Sequence, residues 1–212
     1  MRVLVFGDSI TQGFWDTEGG WVARLRKHYD KLQIQDLKNR DEPTVFNLGI
    51  SGGNSKTILA LFNNEVAARK NSENLAIMIS TGVNDSCIEK QGRLHSTSPN
   101  DYLANLQELA EKAKKYSSRV IFVGLVACDE KQTTPVFWRD IHYTNKHIAG
   151  YEEVMAKVAE EQKISFIPVH AEFKKHLDAG EKLLADGLHP NNDGHELVFE
   201  LVRPAVDKIL NT

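Results

Sequence analysis

The stretch VFGDSITQGFWD, residues 5–16, decides the fold. It starts as the end of an apolar, strand-like run and stops abruptly at Gly7-Asp8-Ser9. Glycine allows positive φ, and Asp and Ser cap a following helix, so plain turn chemistry is one reading. A phosphate-binding loop is a second, and a serine held up as a nucleophile at the top of a sheet is a third. A Walker loop needs Gly, four residues, then Gly-Lys-Ser/Thr. Here Gln12-Gly13-Phe14 stands at that spacing, without lysine. The three glycines of a dinucleotide fingerprint after the first strand are missing too. The nucleotide reading therefore falls.

The rest of the chain supplies the setting for that turn. Strand-like runs lie at 2–6, 44–48, 75–81, 119–126 and 164–169. Each is short, rich in Val, Ile, Phe or Leu, and lacks clean inside/outside alternation, as expected of parallel strands buried on both faces. Amphipathic stretches separate them. Trp21, Leu25 and Leu32 share one side of the first; Ile58, Leu61, Phe62 and Val66 mark the second. Leu103, Leu106, Leu109, Ala110 and Ala113 mark the third, and Val154, Val158 and Ala159 the fourth. The last carries Leu197, Val198, Leu201, Val202, Val206 and Ile209, with Pro204 inside it, so a kink or break is expected near Arg203. Strands alternating with helices imply right-handed βαβ units and a three-layer α/β/α sandwich. No repeat or linker divides residues 1–212, which read as one domain.

Two polar connections, 86–99 and 128–143, are long for a compact domain and both follow strand-like runs. They should emerge at the carboxyl edge of the sheet, where open α/β sheets bind ligands. The second holds Phe137, Trp138 and Tyr143, a set that fits an apolar substrate groove and ordinary loop packing equally well.

Composition narrows the partners. With 41% hydrophobic and 26% charged residues the chain matches ordinary globular proteins. A net charge of −3 gives no electrostatic reason to expect nucleic acid or an anionic membrane surface. No segment approaches the ~18 apolar residues of a membrane span. The apolar run at the N-terminus is too short for a signal-peptide core, and the expected location is cytoplasmic. Cys87 and Cys128 lack metal-ligand spacing and are expected as free thiols. Oligomeric state is not legible.

A nucleophilic serine needs a base, a group to orient that base, and donors for the developing oxyanion. The segment LLADGLHPNNDGHE, residues 183–196, places Asp186 three residues before His189 around a glycine. The carboxylate can hold one ring nitrogen and leave the other for Ser9. An imidazole ordinarily titrates near ~6.5, so such a histidine can serve as a base around neutral pH. Two further strand ends offer donors. Asn47-Leu48-Gly49-Ile50-Ser51-Gly52-Gly53 follows the second run, and Thr81-Gly82-Val83-Asn84-Asp85 the third. Glycines let backbone amides face a ligand, and Asn84 adds a side-chain amide. Each turn alone is commonplace, but their conjunction is not.

These segments together resemble the SGNH hydrolases, the GDSL esterase/lipase family, in blocks running from Gly7 to Pro190. The matching blocks are Gly7-Asp8-Ser9-Ile10-Thr11, the Gly-Ile-Ser-Gly run ending at Gly52, Gly82-Val83-Asn84-Asp85 and Asp186-Gly187-Leu188-His189-Pro190. The resemblance implies a flavodoxin-like sandwich of about five parallel strands. It implies Ser9 as nucleophile, His189 oriented by Asp186 as base, and an oxyanion hole of the Ser9 and Gly52 amides with the Asn84 side chain. It implies no metal and no cofactor, and a small-molecule ester as substrate. Within the family, a small esterase, such as a sugar deacetylase, fits a chain without a long apolar lid. A lysophospholipase or acyl-thioesterase is the alternative, and a non-catalytic binding module a third reading that the intact blocks disfavour. Asp8 and Asp85 read as turn supports, His195 as the start of the final helix, and Cys87 as a buried, inert thiol near the pocket.

Overall fold

The structure is a computed structural model that describes residues 1–38, 41–71, 74–89 and 95–210. In chain order the elements are β1 (Arg2–Gly7), α1 (Ser9–Gln12), α2 (Gly20–Gln35), β2 (Thr44–Gly49), α3 (Ser55–Arg69), β3 (Leu75–Ser80), α4 (Val83–Ser86) and β4 (Ile88–Glu89). Next come α5 (Pro99–Lys114), β5 (Arg119–Val123), α6 (Glu130–Thr133), β6 (Ile141–His142), α7 (Asn145–Gln162), β7 (Ser165–Ile167), α8 (His170–Asp178) and α9 (Asn192–Leu210).

Five parallel strands form the main sheet in the order β2-β1-β3-β5-β7. This is the flavodoxin-like arrangement, with the order reversing about β1 and β3. The first crossover moves one way from β1 and the next returns past it. Right-handed connections therefore carry α2 and α3 to opposite faces of the sheet. α2 packs on α9, while α3 packs on α5 and α5 on α7, giving the two helical layers. Val3, Leu4, Val5, Ile77, Met78 and Ile121 are fully buried between them, the two-sided burial that the unalternating runs imply. Phe62, Leu106 and Trp21 cover the sheet from the helices, each contributing about 1.5–3 kcal/mol by burial.

Strand register determines where a site can form. Gly7 stands opposite Gly49 of β2 and Ser80 of β3, so the three strands end at one level. The turns after them, at 8–9, 50–53 and 81–84, emerge side by side.

Element boundaries differ from the expectation in particular places. The run 119–126 leaves the sheet after Val123, because the Leu125 amide is taken by the Glu152 carboxylate of α7 at 2.6 Å. The long connections 86–99 and 128–143 do not hang free: β4 and β6 pair antiparallel, Ile88 with His142 and Glu89 with Ile141. Residues 90–94 of the first lie outside the described residues. α8 was not expected at all. Of the kink or break expected near Arg203, the break does not occur: α9 runs through Pro204 to Leu210. Pro204 sits on the exposed side, and Val198, Val202, Val206 and Leu210 are buried on either side of it. Their shared burial offsets the missing amide hydrogen bond and the ring clash.

Replacing Pro204 by Ala should therefore stabilise the fold by about 1–2 kcal/mol, the helical gain less the entropy returned to the unfolded chain. Urea unfolding of both proteins reads this directly. Equal or lower stability of the variant would mean that the proline is accommodated without cost.

Candidate active site

β1 delivers the chain to Asp8, which has extended backbone (φ −101°, ψ −154°) and caps α1 by accepting the Ile10 amide at 2.9 Å. Ser9 is thereby the first residue of a one-turn helix at the top of the sheet, closed by Gly13. The Gly7 carbonyl accepts from Ile50 at 3.0 Å and the Thr11 carbonyl from the Asn47 side chain at 2.8 Å, tying this turn to the end of β2. Ser9 is buried, and its Oγ lies 3.0 Å from His189 Nε2.

His189 reaches Ser9 from 180 residues away because the loop before α9 is folded on itself. Asp186 Oδ1 accepts the amides of Leu188 (3.0 Å) and His189 (2.8 Å), and the Ala185 amide donates to the His189 carbonyl at 2.9 Å. Gly187 supplies the left-handed residue this turn requires, at φ 85°. Asp186 Oδ2 then accepts from His189 Nδ1 at 2.7 Å. With Nδ1 carrying the proton, the neutral ring offers Nε2 as acceptor to the Ser9 hydroxyl. Burial alone would raise the Asp186 carboxyl, but the hydrogen bonds from the His189 ring and backbone outweigh it and hold the group down at about 2. The carboxylate is thus ionised beside the ring at any pH where the ring can act as a base. Phe14 and Trp138 flank the imidazole at 5.4 and 5.9 Å between ring centroids.

Gly52 follows β2 with φ 73°, a backbone that other residues rarely adopt. Asn84 lies in α4, its Nδ2 donating to the Gly53 carbonyl at 2.9 Å and its Oδ1 accepting from the Tyr143 hydroxyl at 3.2 Å. The amide plane is fixed at both ends, and one N–H of the NH₂ group is left over. Asp85, fully buried, accepts the Ser55 amide (3.1 and 3.0 Å) and hydroxyl (2.6 Å), clamping the turn of Asn84 to the start of α3. It supports the turn, as its sequence position suggests.

Ser9, Gly52, Asn84, Asp186 and His189 all line one cleft of about 440 Å³. Phe137, Trp138 and Tyr143 line it as well, in different ways. Phe137 is 82% exposed at the rim, stacked edge-on against Trp138, whereas Tyr143 is buried and its hydroxyl is engaged with Asn84. Cys87 also faces the cleft, and burial pushes its thiol up, away from a reactive thiolate. Among the described residues, none of His28, His95, His142, His147, His170 and His176 lines it, and no three His, Cys, Asp or Glu side chains gather as metal ligands. Phe14 and Trp15 were missed by sequence reasoning. Trp15 Nε1 donates to Asp186 Oδ2 at 2.9 Å across 171 residues, and no local spacing announces such a pair. The arrangement can deprotonate a hydroxyl at Ser9 and deliver that proton to a group leaving beside it.

A family model, GDSL-like Lipase/Acylhydrolase, matches residues 5–197. Relatives include the isoamyl acetate-hydrolyzing esterase of Saccharomyces cerevisiae, 24% identical over 94% of this chain and 83% of that protein. The isoamyl acetate-hydrolyzing esterase 1 homolog of Mus musculus is 27% identical over 98% and 82%. Among solved structures, the lipase/acylhydrolase from Enterococcus faecalis superposes with a TM-score of 0.76 at 21% identity, covering 97% of this chain and 94% of its own. TesA superposes at 0.73 with 25% identity, covering 99% of each. Fold and relatives define a carboxylic-ester hydrolase. The chain belongs to the GDSL-like lipase/acylhydrolase family.

Two buried groups beside the site pull the pH dependence of stability in opposite directions. Burial raises the Asp8 carboxyl to about 6. Its contribution is full below the ordinary carboxylate range and is lost as pH rises through about 6. Burial lowers His195 to about 4, and its contribution is lost as pH falls through that value. His195 is in α9, fully buried, with Nδ1 accepting from the Trp21 amide and Nε2 donating to the Phe14 carbonyl at 3.2 Å. Asp8→Asn should keep the helix cap and leave the His195 loss less opposed. Its melting temperature should then fall more steeply than the wild type's between pH 6 and 4, measured by circular dichroism. Identical slopes would mean that Asp8 is ionised throughout.

Proposed function

We propose that this protein hydrolyses carboxylic esters of small or medium acyl groups, with Ser9 as nucleophile, His189 as general base and acid, and Asp186 as its orienter. The observation that carries this reading is the continuous chain from Ser9 Oγ to His189 Nε2 (3.0 Å) and from Nδ1 to Asp186 Oδ2 (2.7 Å). Ser9 Oγ attacks the ester carbonyl as its proton passes to Nε2. The carbonyl oxygen becomes an oxyanion facing the Ser9 and Gly52 amides and the spare Asn84 N–H. Collapse of the tetrahedral adduct breaks the bond to the alkoxy oxygen, which takes the proton from His189. Water then attacks the acyl-Ser9 ester by the same route, releasing the acid.

The substrate reading rests on the walls of the cleft and on the relatives. Phe14, Trp15, Trp138, Ile141 and Leu188 make the walls largely apolar. Curated relatives are named for hydrolysis of isoamyl acetate, a short acyl group on a branched alkyl alcohol. Together these support a short acyl ester with an apolar alcohol over a sugar acetate. Tyr143 has its hydroxyl engaged with Asn84, so of the three loop aromatics Phe137 and Trp138 remain to meet a substrate. Longer chains, as in a lysophospholipid or acyl thioester, would have to extend past these rim residues.

The test is hydrolysis of p-nitrophenyl esters of increasing chain length by wild type, Ser9→Ala and His189→Ala. Wild type should favour acetate to about hexanoate, and each variant should lose ~10³-fold or more in kcat with little change in stability. Equal activity of wild type and Ser9→Ala would overturn the nucleophile assignment. A preference rising to palmitate would replace the short-chain reading by the long-chain one.

A further inference from the structure

We propose that Trp15 is a positioning residue for Asp186: its indole N–H holds the carboxylate that orients His189 and sets how strongly that carboxylate pulls on the ring. The proposal rests on the catalytic reading of Ser9, His189 and Asp186 given above.

The geometry is specific. Asp186 Oδ2 accepts two donors, His189 Nδ1 at 2.7 Å and Trp15 Nε1 at 2.9 Å, while Oδ1 accepts the Leu188 and His189 amides. Four donors occupy the four lone-pair directions of a carboxylate, so its plane is fixed. The ring of Trp15 lies edge-on to Phe14, 4.9 Å between centroids, in the cleft wall, a contact that any aromatic ring could make. The residue is 57% exposed, far from the burial that usually justifies a tryptophan. Its backbone is left-handed, at φ 64°, a region that bulky residues avoid. Both features disfavour Trp at this position, and the bond to Asp186 is the feature that requires its N–H.

The surrounding chain holds Trp15 in that conformation. On one side the Phe14 amide donates to the Ser9 carbonyl at 3.0 Å, and the Phe14 carbonyl accepts from buried His195 at 3.2 Å. On the other, the Asp16 carboxylate accepts the Glu18 amide (3.0 Å), the Gly20 amide (2.7 Å) and the Arg24 guanidinium. Arg24 continues to Glu196 (2.6 Å) and to the Asn192 carbonyl (3.2 Å), and the Asn192 side chain exchanges bonds with Thr17. The segment between α1 and α2 is thus latched to the start of α9; on it Phe14 places its ring beside His189, and Trp15 hydrogen-bonds Asp186.

The chemical consequence has a definite sign. A donor on Oδ2 draws charge from the oxygen that holds Nδ1–H, so the imidazolium is less stabilised than it would be beside an unshared carboxylate. The titratable and charged groups around His189 are Asp186 on its own loop, Asp8 after β1 and His195 in α9, with Cys87, Glu89 and Arg139 on the walls of the same cleft. Trp15→Phe substitutes none of them, keeps a ring in the cleft wall and removes only the donor to Asp186.

The experiment is an NMR titration of the His189 ring protons, identified by their loss in His189→Ala. It compares wild type with Trp15→Phe, and Asp186→Asn with the double variant. Kinetics with p-nitrophenyl acetate run in parallel. Trp15→Phe should move the midpoint upward by ~0.5–1 unit, the scale of one hydrogen bond to a charged group shared between two protonation states. In the Asp186→Asn background the displacement should vanish. kcat should fall ~5- to 20-fold with KM within about twofold, as expected for lost orientation. An unmoved midpoint, or one displaced equally without the Asp186 carboxylate, would overturn the proposal. A rise in KM at constant kcat would do so as well, leaving Trp15 a wall of the cleft. The titration needs no turnover. If wild type and Ser9→Ala hydrolysed esters equally, the catalytic reading would fail while the coupling of Trp15 to His189 would still be read.

Discussion

The register of three neighbouring strands is the constraint on which the site depends. Gly7, Gly49 and Ser80 end β1, β2 and β3 at a common level, at the place where the strand order reverses. Nothing about Ser9, Gly52 or Asn84 is unusual in isolation. They face one cleft because strand hydrogen bonding brings three separate turns out side by side. Because side chains alternate faces along a strand, a slip of one residue in either pairing would reverse the core and misalign these turns together. Stability and site geometry are therefore set by the same interactions.

Polar side chains then fix the turns to one another. Asp85 ties the Asn84 turn to the start of α3, Tyr143 and Gly53 hold the Asn84 amide at opposite ends, and Asn47 ties the Ser9 turn to β2. The fourth segment arrives differently. The Asp186–His189 loop is self-contained, closed by its own amides, and is brought over Ser9 by the packing of α9 on α2. Arg24, Asp16, His195 and Asn192 connect those two helices with the segment that carries Phe14 and Trp15. The Ser9 side of the site is thus anchored to the sheet, and the His189 side to a helical layer.

Much of this was legible in the sequence, for physical reasons. Two-sided burial leaves unalternating apolar runs in β1, β3 and β5, while the edge strands β2 and β7 are less buried and showed only as short apolar runs; the polar or glycine-rich turns after the first three strands stood out against them. What failed required knowledge of distant partners. The strand expected through Val126 stops early because Glu152 captures an amide. α9 survives Pro204 because the buried valines on both sides outweigh the proline. Tyr143 could be read only as an aromatic of a loop, while in the structure its hydroxyl addresses Asn84. Trp15, within the very stretch that suggested the fold, gave no sign of its link to Asp186, since that bond spans nearly the whole chain.

The most direct measurement is intact-protein and peptide mass spectrometry after reaction with a p-nitrophenyl phosphonate, which transfers its phosphonyl group to an activated serine as nitrophenolate leaves. The account predicts one phosphonyl group per chain, carried by Ser9, and none on Ser9→Ala. A label carried by another residue, or an unmodified Ser9 in a preparation that hydrolyses esters, would contradict it.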